Sequence, residues 1–166
     1  KPKGMFGTDG PMVPGWKLDE ILPTLTQRST GWISEQSKKQ KPFFLYLSLT
    51  SPHTPISPSK SFIGKSGIST YADFTLETDW VVGQILDELE KAGVADNTLV
   101  IFSADNGTAT TAKFKTLKAK GVDLQYTFSG MKGNIEEGGH RVPFGVRWPA
   151  RIKPGTICKD VICLND

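Results

Sequence analysis

The sequence predicts an α/β fold whose sheet is largely parallel, or mixed, and is flanked by helices. Helical patterns of apolar residues cover 23–36 and 69–92. They alternate along the chain with strand-length apolar runs at 43–49 and 98–103, and the joins between these segments are short. Such alternation is typical of helices that cross over between neighbouring parallel strands.

Both predicted helices have recognisable ends. Pro23 suits a first helical turn, and a basic stretch that leads to Pro42 suits a helix end. Ser69 or Thr70 can cap the second helix, and Gly93 can end it in a left-handed turn. The predicted faces are Leu25, Arg28, Ser29, Trp32, Ile33 and Gln36 in the first helix, and Tyr71, Phe74, Thr78, Val81, Val82, Ile85, Leu86 and Leu89 in the second.

The apolar runs are interpreted as strands. Residues 43–49 are nearly all apolar and lie between prolines, so we expect a strand covered on both faces. Residues 98–103 form the second buried strand. Residues 141–148 are a third candidate, which Pro143 would place at a sheet edge or at the start of the strand. Residues 1–16 are rich in Gly and Pro and are expected to be a loop.

Composition excludes several classes of protein. With 166 residues, 37% hydrophobic and 22% charged, the chain is long enough for one globular domain. A net charge of +3, spread along the chain, argues against nucleic acid as a partner. No apolar run approaches the length of a membrane span. A lysine cluster is interpreted as a solvated loop, with an anion-attracting rim as the alternative: Lys113, Lys115, Lys118 and Lys120.

The two ends and the two cysteines leave questions open. The chain starts at Lys1 without an initiator Met or a secretion signal and stops at Asp166 within an apolar segment. We therefore expect a piece of a longer protein, cut at both ends. Cys158 and Cys163 can pair with each other or can be two separate buried thiols, so the redox compartment stays open.

Polar side chains follow the predicted strands, where ligands collect in open α/β sheets. His53 follows the first strand, and Asp105 with Asn106 follows the second. Lys132 and His140 lie in the glycine-rich segment that comes next. These five residues are the candidate site.

Asp105 and Asn106 offer the oxygen ligands that Ca²⁺ or Mg²⁺ prefers. A plain tight turn is the alternative, because Asn-Gly pairs are common in turns. Asn106-Gly107-Thr108 also matches the glycosylation sequon. A metal ligand cannot carry a glycan, so we regard that match as fortuitous.

His53 and Lys132 have weaker signals when each is taken alone. Pro52 and Pro55 restrict the backbone around His53, whose ring can donate a proton to a leaving oxygen near neutral pH. Lys132 lies among glycines and supplies a compact positive charge for an anionic group. A structural histidine and a surface lysine are the alternatives. The Lys132 segment does not have the residue order of a P-loop.

Four blocks in one order make the sequence, over about residues 20–164, resemble the type I, formylglycine-dependent sulfatases of the alkaline phosphatase superfamily. The blocks are Lys41-Pro-Phe-Phe-Leu-Tyr-Leu with Ser51-Pro-His-Thr-Pro; Asp79 with Val82-Gly83-Gln84-Ile85-Leu86 and Leu89; Asn97-Thr-Leu-Val-Ile-Phe-Ser-Ala-Asp105-Asn106-Gly107; and Lys132-Gly with Glu137-Gly-Gly-His-Arg-Val-Pro-Phe and Arg147-Trp-Pro. The resemblance implies an alkaline-phosphatase-like fold, present here incompletely, and makes residues 1–166 one partial catalytic domain.

The resemblance also implies roles for the candidate site. Asp105 and Asn106 match the family's metal-binding pair, usually for Ca²⁺. His53 matches a histidine on the leaving-group side of the sulfate ester, and Lys132 matches a lysine that contacts a sulfate oxygen. His140 can reach the substrate, although we favour a role in shaping the loop that presents Lys132.

The sequence departs from the family at the nucleophile. The family's nucleophile is a formylglycine made from cysteine in a Cys-x-Pro/Ser-x-Arg segment. Cys158 is followed by Lys-Asp-Val and Cys163 by Leu-Asn-Asp, so neither fits. The family's early Asp-Asp metal pair is not in these residues either. We therefore expect residues 1–166 alone to be inactive and the formylglycine to lie N-terminal to them.

Sulfate-ester hydrolysis by the full-length protein is the leading interpretation, with a sulfated saccharide or an aryl sulfate as substrate. Two alternatives stay open: a phosphate or phosphonate ester hydrolase of the same superfamily, and a non-catalytic relative that binds sulfated glycans. Family habit implies a periplasmic, secreted or lysosomal location. The candidates for lining the mouth of the site are Phe62, Phe114, Tyr126 and Phe128.

Overall fold

A computed structural model describes residues 13–39 and 41–163. Most of the predicted loop at 1–16, and the last three residues of the chain, lie outside the described residues. The helices and strands in chain order are α1 Ile21–Ser37, α2 Thr70–Lys91, β1 Val100–Ser103, α3 Phe114–Lys118, α4 Glu137–His140 and β2 Phe144–Arg147. Two helices precede each of the two strands, and the α/β class is confirmed by the fold of the matching structures.

Helix α1 forms where the sequence predicts it. Pro23 lies in its first turn, where a missing backbone N–H costs nothing. The buried residues are Leu22, Thr26, Ser29 and Ile33. The predicted face was correct for Ser29 and Ile33 and wrong for Arg28, which is exposed.

Helix α2 confirms both predicted ends. The Ser69 hydroxyl accepts the Ala72 N–H at 3.2 Å, as an N-cap does, and Gly93 ends the helix at φ +68°. Its buried residues include the apolar Phe74, Val81 and Leu89 together with two acids, Asp73 and Glu77. Apolar periodicity alone did not predict the burial of the two acids.

Segment 43–49 forms no strand among the described residues, and it is covered on one face only. Its odd-numbered side chains pack on the α1–α2 pair in two apolar clusters. Phe44 and Tyr46 point the other way and are 85% and 80% exposed. The prediction of a strand covered on both faces was therefore wrong for the described residues. Successive side chains of an extended chain alternate in direction, and here one layer of helices covers one of the two sides.

The sheet among the described residues has two strands, β1 and β2. They pair antiparallel, with Ile101 opposite Val146, and the described residues contain no parallel pair. Pro143 directly precedes β2, which confirms its place at the start of the strand. Two contacts with the end of α2 and the turn after it fix β2: Arg147 pairs with Glu90, and the Trp148 indole N–H donates to the Asp96 carbonyl at 3.1 Å.

Three sequence predictions concern membrane spans, the two cysteines and the lysine cluster. In the part of the chain that the structure describes, no helix is both long and apolar enough to cross a membrane. Cys158 and Cys163 are exposed, which contradicts the alternative of two buried thiols. The four lysines of the 113–120 cluster are all exposed, and Lys118 pairs with Asp123 at 3.1 Å, as expected for a solvated segment.

Candidate functional site

The turn after β1 holds the two predicted metal ligands. Asp105 is exposed, and within the described residues its carboxylate has no hydrogen-bond or ion-pair partner. Asn106 is half-buried, and its side-chain N–H donates to the Gly107 carbonyl at 3.3 Å. That bond uses the nitrogen of the amide and leaves its oxygen as the atom that suits a hard cation.

This turn is joined directly to the loop that carries Lys132. The Gly107 N–H donates to the Gly139 carbonyl at 2.9 Å, and the Lys132 N–H donates to the Thr108 carbonyl at 3.0 Å. The structure thus brings Asp105, Asn106 and the Lys132 loop together at the carboxyl end of β1, as the sequence predicts.

Glycine is required where the turn and the loop meet. A Cβ on Gly107 would lie 1.9 Å from the Gly138 carbonyl oxygen, and a Cβ on Gly139 would lie 2.1 Å from the Asn134 carbonyl oxygen. Both obstructing atoms are backbone, which cannot turn aside as a flexible side chain does. The close approach of the two segments therefore depends on the missing side chains.

Lys132 is presented by a tight turn. The Asn134 N–H donates to the Met131 carbonyl at 2.8 Å, the Asn134 side chain accepts the Met131 N–H at 3.0 Å, and Gly133 has φ +88°. Lys132 is half-buried, and its ammonium group has no partner among the described residues. A cation held in a fixed turn without a counter-charge suits an anionic ligand.

His140 faces the same loop from the end of α4. Its Nε2–H donates to the Ile135 carbonyl at 2.8 Å, since a carbonyl can only accept. The next residue, Arg141, pairs with Glu137 one helical turn back. These contacts support the loop-shaping role for His140; contact with the substrate stays a prediction.

His53 is held separately, in the loop before α2. The ring is exposed, its Nδ1–H donates to the Thr54 carbonyl at 2.7 Å, and its backbone N–H donates to the Thr50 carbonyl at 3.1 Å. Because a carbonyl can only accept, the bond to Thr54 places the proton of a neutral ring on Nδ1.

Helix α2 positions this loop through residues that the sequence reasoning missed. The Thr78 hydroxyl donates to Ser51 Oγ at 2.7 Å, and the buried Glu77 carboxylate accepts the Ser59 N–H at 2.8 Å. No sequence pattern marks these contacts, because each joins the helix to a loop that precedes it by many residues.

Asp73 supports the start of α2 in a similar way. Its carboxylate accepts the Ser66 and Gly64 N–H groups, each at 2.8 Å. The hydrogen bond from Ser66 lowers the pKa of Asp73 below its usual value, burial opposes this, and the Gly64 N–H adds to the lowering. The carboxylate therefore stays ionised in the folded chain and holds the 64–66 turn against the helix.

The four aromatic candidates for the mouth of the site differ in exposure. Phe62 packs against Trp80, and Phe114 is half-buried. The Arg141 guanidinium lies over the ring of Phe128, and its Cζ is 5.1 Å from the centroid of that ring. Tyr126, by contrast, is 79% exposed, with its ring edge-on to Phe128 at 6.2 Å.

Tyr126 is also held in an unusual backbone conformation. Its φ of +52° lies in the left-handed region, which residues other than glycine rarely adopt. The preceding Gln125 ties this segment to the Lys132 loop, since its side-chain N–H donates to the Gly130 carbonyl at 2.9 Å. Strain of this kind is concentrated at functional sites.

The metal-binding capacity of the described residues is partial. They contain no group of three His, Cys, Asp or Glu side chains that could hold a metal ion. Asp105 and Asn106 fit a cation that takes oxygen ligands, but Ca²⁺ takes six to eight such ligands. They therefore fit as part of a shell that other groups would complete.

Comparison with known proteins gives one consistent result. The Sulfatase family profile matches residues 19–162. The chain is 36% identical over 142 residues to an N-acetylgalactosamine-6-O-sulfatase of Bacteroides thetaiotaomicron, covering 84% of this chain and 27% of that protein. It is 39% identical over 140 residues to the human steryl-sulfatase, covering 82% of this chain and 23% of that protein.

Solved structures give the same result at the level of the fold. A protein studied for the metabolism of multiple glycosaminoglycans by Bacteroides thetaiotaomicron superposes with a TM-score of 0.77 at 35% identity, covering 84% of this chain and 29% of that one. A sulfatase from Pseudoalteromonas superposes with a TM-score of 0.71 at 27% identity, covering 83% and 26%. The chain thus spans about a quarter of the length of the curated relatives it matches.

Proposed function

Because the chain belongs to the sulfatase family, we propose that the full-length protein hydrolyses sulfate esters. The observation that carries the proposal is the junction at the end of β1. Two backbone hydrogen bonds hold the Asp105–Asn106 turn against the Lys132 loop, and the charged groups of Asp105 and Lys132 both lack partners among the described residues. A sulfate group together with a cation would satisfy both charges.

Asp105 and Asn106 would hold the divalent cation, Ca²⁺ or Mg²⁺, through their side-chain oxygens. When bound, the cation supplies positive charge beside the sulfate oxygens. Lys132 binds a sulfate oxygen through its ammonium group and offsets the negative charge that develops during S–O cleavage. The Lys132–Thr108 backbone bond holds the Lys132 main chain against the turn that carries Asp105.

His53 would act on the leaving group. As the nucleophile bonds to sulfur and the bond between sulfur and the ester oxygen breaks, Nε2 of the protonated ring delivers its proton to the ester oxygen. The leaving group then departs as an alcohol or phenol. The Nδ1–H bond to the Thr54 carbonyl fixes the orientation of the ring in both protonation states. The nucleophile is proposed to be a formylglycine hydrate supplied from outside residues 1–166. On this proposal, residues 1–166 alone are inactive.

We propose a sulfated saccharide as the substrate. Tyr126 supports this choice, because an exposed aromatic ring tied to the Lys132 loop offers a flat face to the apolar side of a sugar ring. The similarity to an N-acetylgalactosamine-6-O-sulfatase points to the same class of substrate. A periplasmic, secreted or lysosomal location agrees with such a substrate.

The test uses purified full-length protein and three measurements. Sulfate release from a 6-sulfated N-acetylgalactosamine oligosaccharide is compared with phosphate release from the matching 6-phosphate, and binding of the sulfated oligosaccharide is measured by calorimetry. We expect sulfate release to be faster by at least tenfold. Faster phosphate release would instead establish the phosphate-ester alternative. Binding without turnover of either ester would establish a non-catalytic relative.

A further inference from the structure

We propose that Thr78 is a positioning residue for His53 and acts through its hydrogen bond to Ser51. The inference rests on the proposed function, because it assigns Thr78 to the proton-donating step of that reaction. Thr78 lies on α2, and Ser51 lies 27 residues earlier, two positions before His53.

The contact links the loop that carries His53 to the buried core between the helices. The Thr78 hydroxyl is shared between Ser51 Oγ, at 2.7 Å, and the Phe74 carbonyl of its own helix, at 2.9 Å. Phe74 is buried in the apolar cluster between the helices. The hydroxyl is therefore fixed with respect to the core and presents Ser51 with one defined position.

Movement of Ser51 passes directly to His53. The His53 N–H donates to the Thr50 carbonyl at 3.1 Å, which closes a tight turn over residues 50–53. A shift of Ser51 rotates this turn and with it the imidazole. A misplacement of about 1 Å costs up to roughly a hundredfold in rate when a catalytic group must meet its target.

Glu77 holds the other end of the same loop. Its side chain is 0% exposed, Oε2 accepts the Ser59 N–H at 2.8 Å, and Oε1 is buried without a partner among the described residues. An unsatisfied buried oxygen costs stability, so an apolar side chain would fill this position at a lower free-energy cost than the Glu77 carboxylate does. Two consecutive residues of α2 thus hold segment 51–59 at both ends, with His53 between them.

Thr75 provides a matched control on the same helix. Its hydroxyl donates to the Tyr71 carbonyl at 3.0 Å, the same i−4 contact that Thr78 makes, but Thr75 is exposed and does not contact the loop. Thr78→Val and Thr75→Val each remove one hydroxyl and keep the branched shape. They differ in the hydrogen bond to Ser51 and in exposure, since Thr78 is half-buried and Thr75 is exposed.

The experiment compares two substrates in the full-length protein. An alkyl sulfate, such as a saccharide ester, needs a proton on its leaving oxygen, whereas nitrophenyl sulfate leaves as a stable phenolate. We expect Thr78→Val to lower kcat about tenfold on the saccharide ester with little change in KM. We expect kcat on nitrophenyl sulfate to change less than twofold, and Thr75→Val to match the wild type on both substrates.

Ser51→Ala removes the same contact from the other side, and we expect it to give the same dependence on leaving group. The double variant should add no further loss, because both changes remove one interaction. Equal losses on both substrates, or a Thr78→Val variant that matches the wild type, would overturn the positioning role and leave the proposed function standing. A wild-type protein that turns over neither ester would overturn both.

Discussion

The backbone N–H of Lys132 donates to the carbonyl of Thr108 at 3.0 Å, three residues beyond Asp105. This bond makes the lysine loop a continuation of the turn after β1. A group that binds a cation at the proposed Asp105 site would therefore meet the Lys132 turn as well.

Asp105→Ala removes the charged ligand of the proposed cation site. We expect the full-length variant to lose Ca²⁺-dependent sulfate release and to bind Ca²⁺ at least tenfold more weakly, as measured by calorimetry. Asp87→Ala, which removes an exposed acid from α2, is the control and should bind Ca²⁺ like the wild type. Unchanged Ca²⁺ affinity in the Asp105 variant would exclude Asp105 as a ligand.

Lys132→Ala removes the proposed sulfate-binding charge. We expect kcat to fall on the order of a hundredfold, because a charged group that stabilises the transition state is lost. Steady-state kinetics of sulfate release measure the effect, with the exposed Lys120→Ala as the matched change. A similar small loss in both variants would make Lys132 an ordinary surface residue.

Gly107→Ala tests the junction between the turn and the loop. The added Cβ would overlap the Gly138 carbonyl, so we expect loss of sulfatase activity and a lower urea midpoint. Gly83→Ala is the control: it lies inside α2 with no atom within 4 Å of the added Cβ. It should stabilise the protein by up to about 1 kcal/mol. Full activity of Gly107→Ala would contradict the close approach.

Asp73→Asn tests the support of α2 by pH. The pKa of Asp73 is lowered in the folded chain, so its contribution is complete above the ordinary value of 3.8 and is lost as pH falls through the lower folded value. We expect the variant to be less stable by about 1–3 kcal/mol at pH 7. The difference in the free energy of unfolding between the variant and the wild type should become smaller below pH 3.8, as measured by urea unfolding of the full-length protein. A difference that is constant with pH would show that Asp73 gains nothing from ionisation.

Tyr126→Ala tests the proposed saccharide surface. We expect KM to rise about tenfold for a sulfated oligosaccharide and to stay within twofold for nitrophenyl sulfate, because only the sugar covers the ring. Ile135→Ala removes another large exposed side chain, 90% exposed, from the same region and serves as the control. Equal effects on both substrates would assign Tyr126 to the structure of the loop.

Much of the fold could be predicted from the chain because its signals are local. The periodicity, Ser69 and Gly93 predicted the second helix to within a residue or two at each end. The short helices α3 and α4 were missed, because four or five residues are too few to show a period. The one-sided covering of Phe44 and Tyr46 was also missed, since an apolar run does not tell which of its faces has a neighbour.

The sequence by itself determined the helix ends and the order of the candidate residues after the strands, because capping, periodicity and strand length depend on near neighbours. Only the tertiary structure decided which polar groups meet. Gly107 reaches Gly139, and Thr78 reaches Ser51, across long separations that loop paths and helix packing close. The physical reason is that a hydrogen bond between distant segments depends on where the packed core places them, and no local pattern records that position.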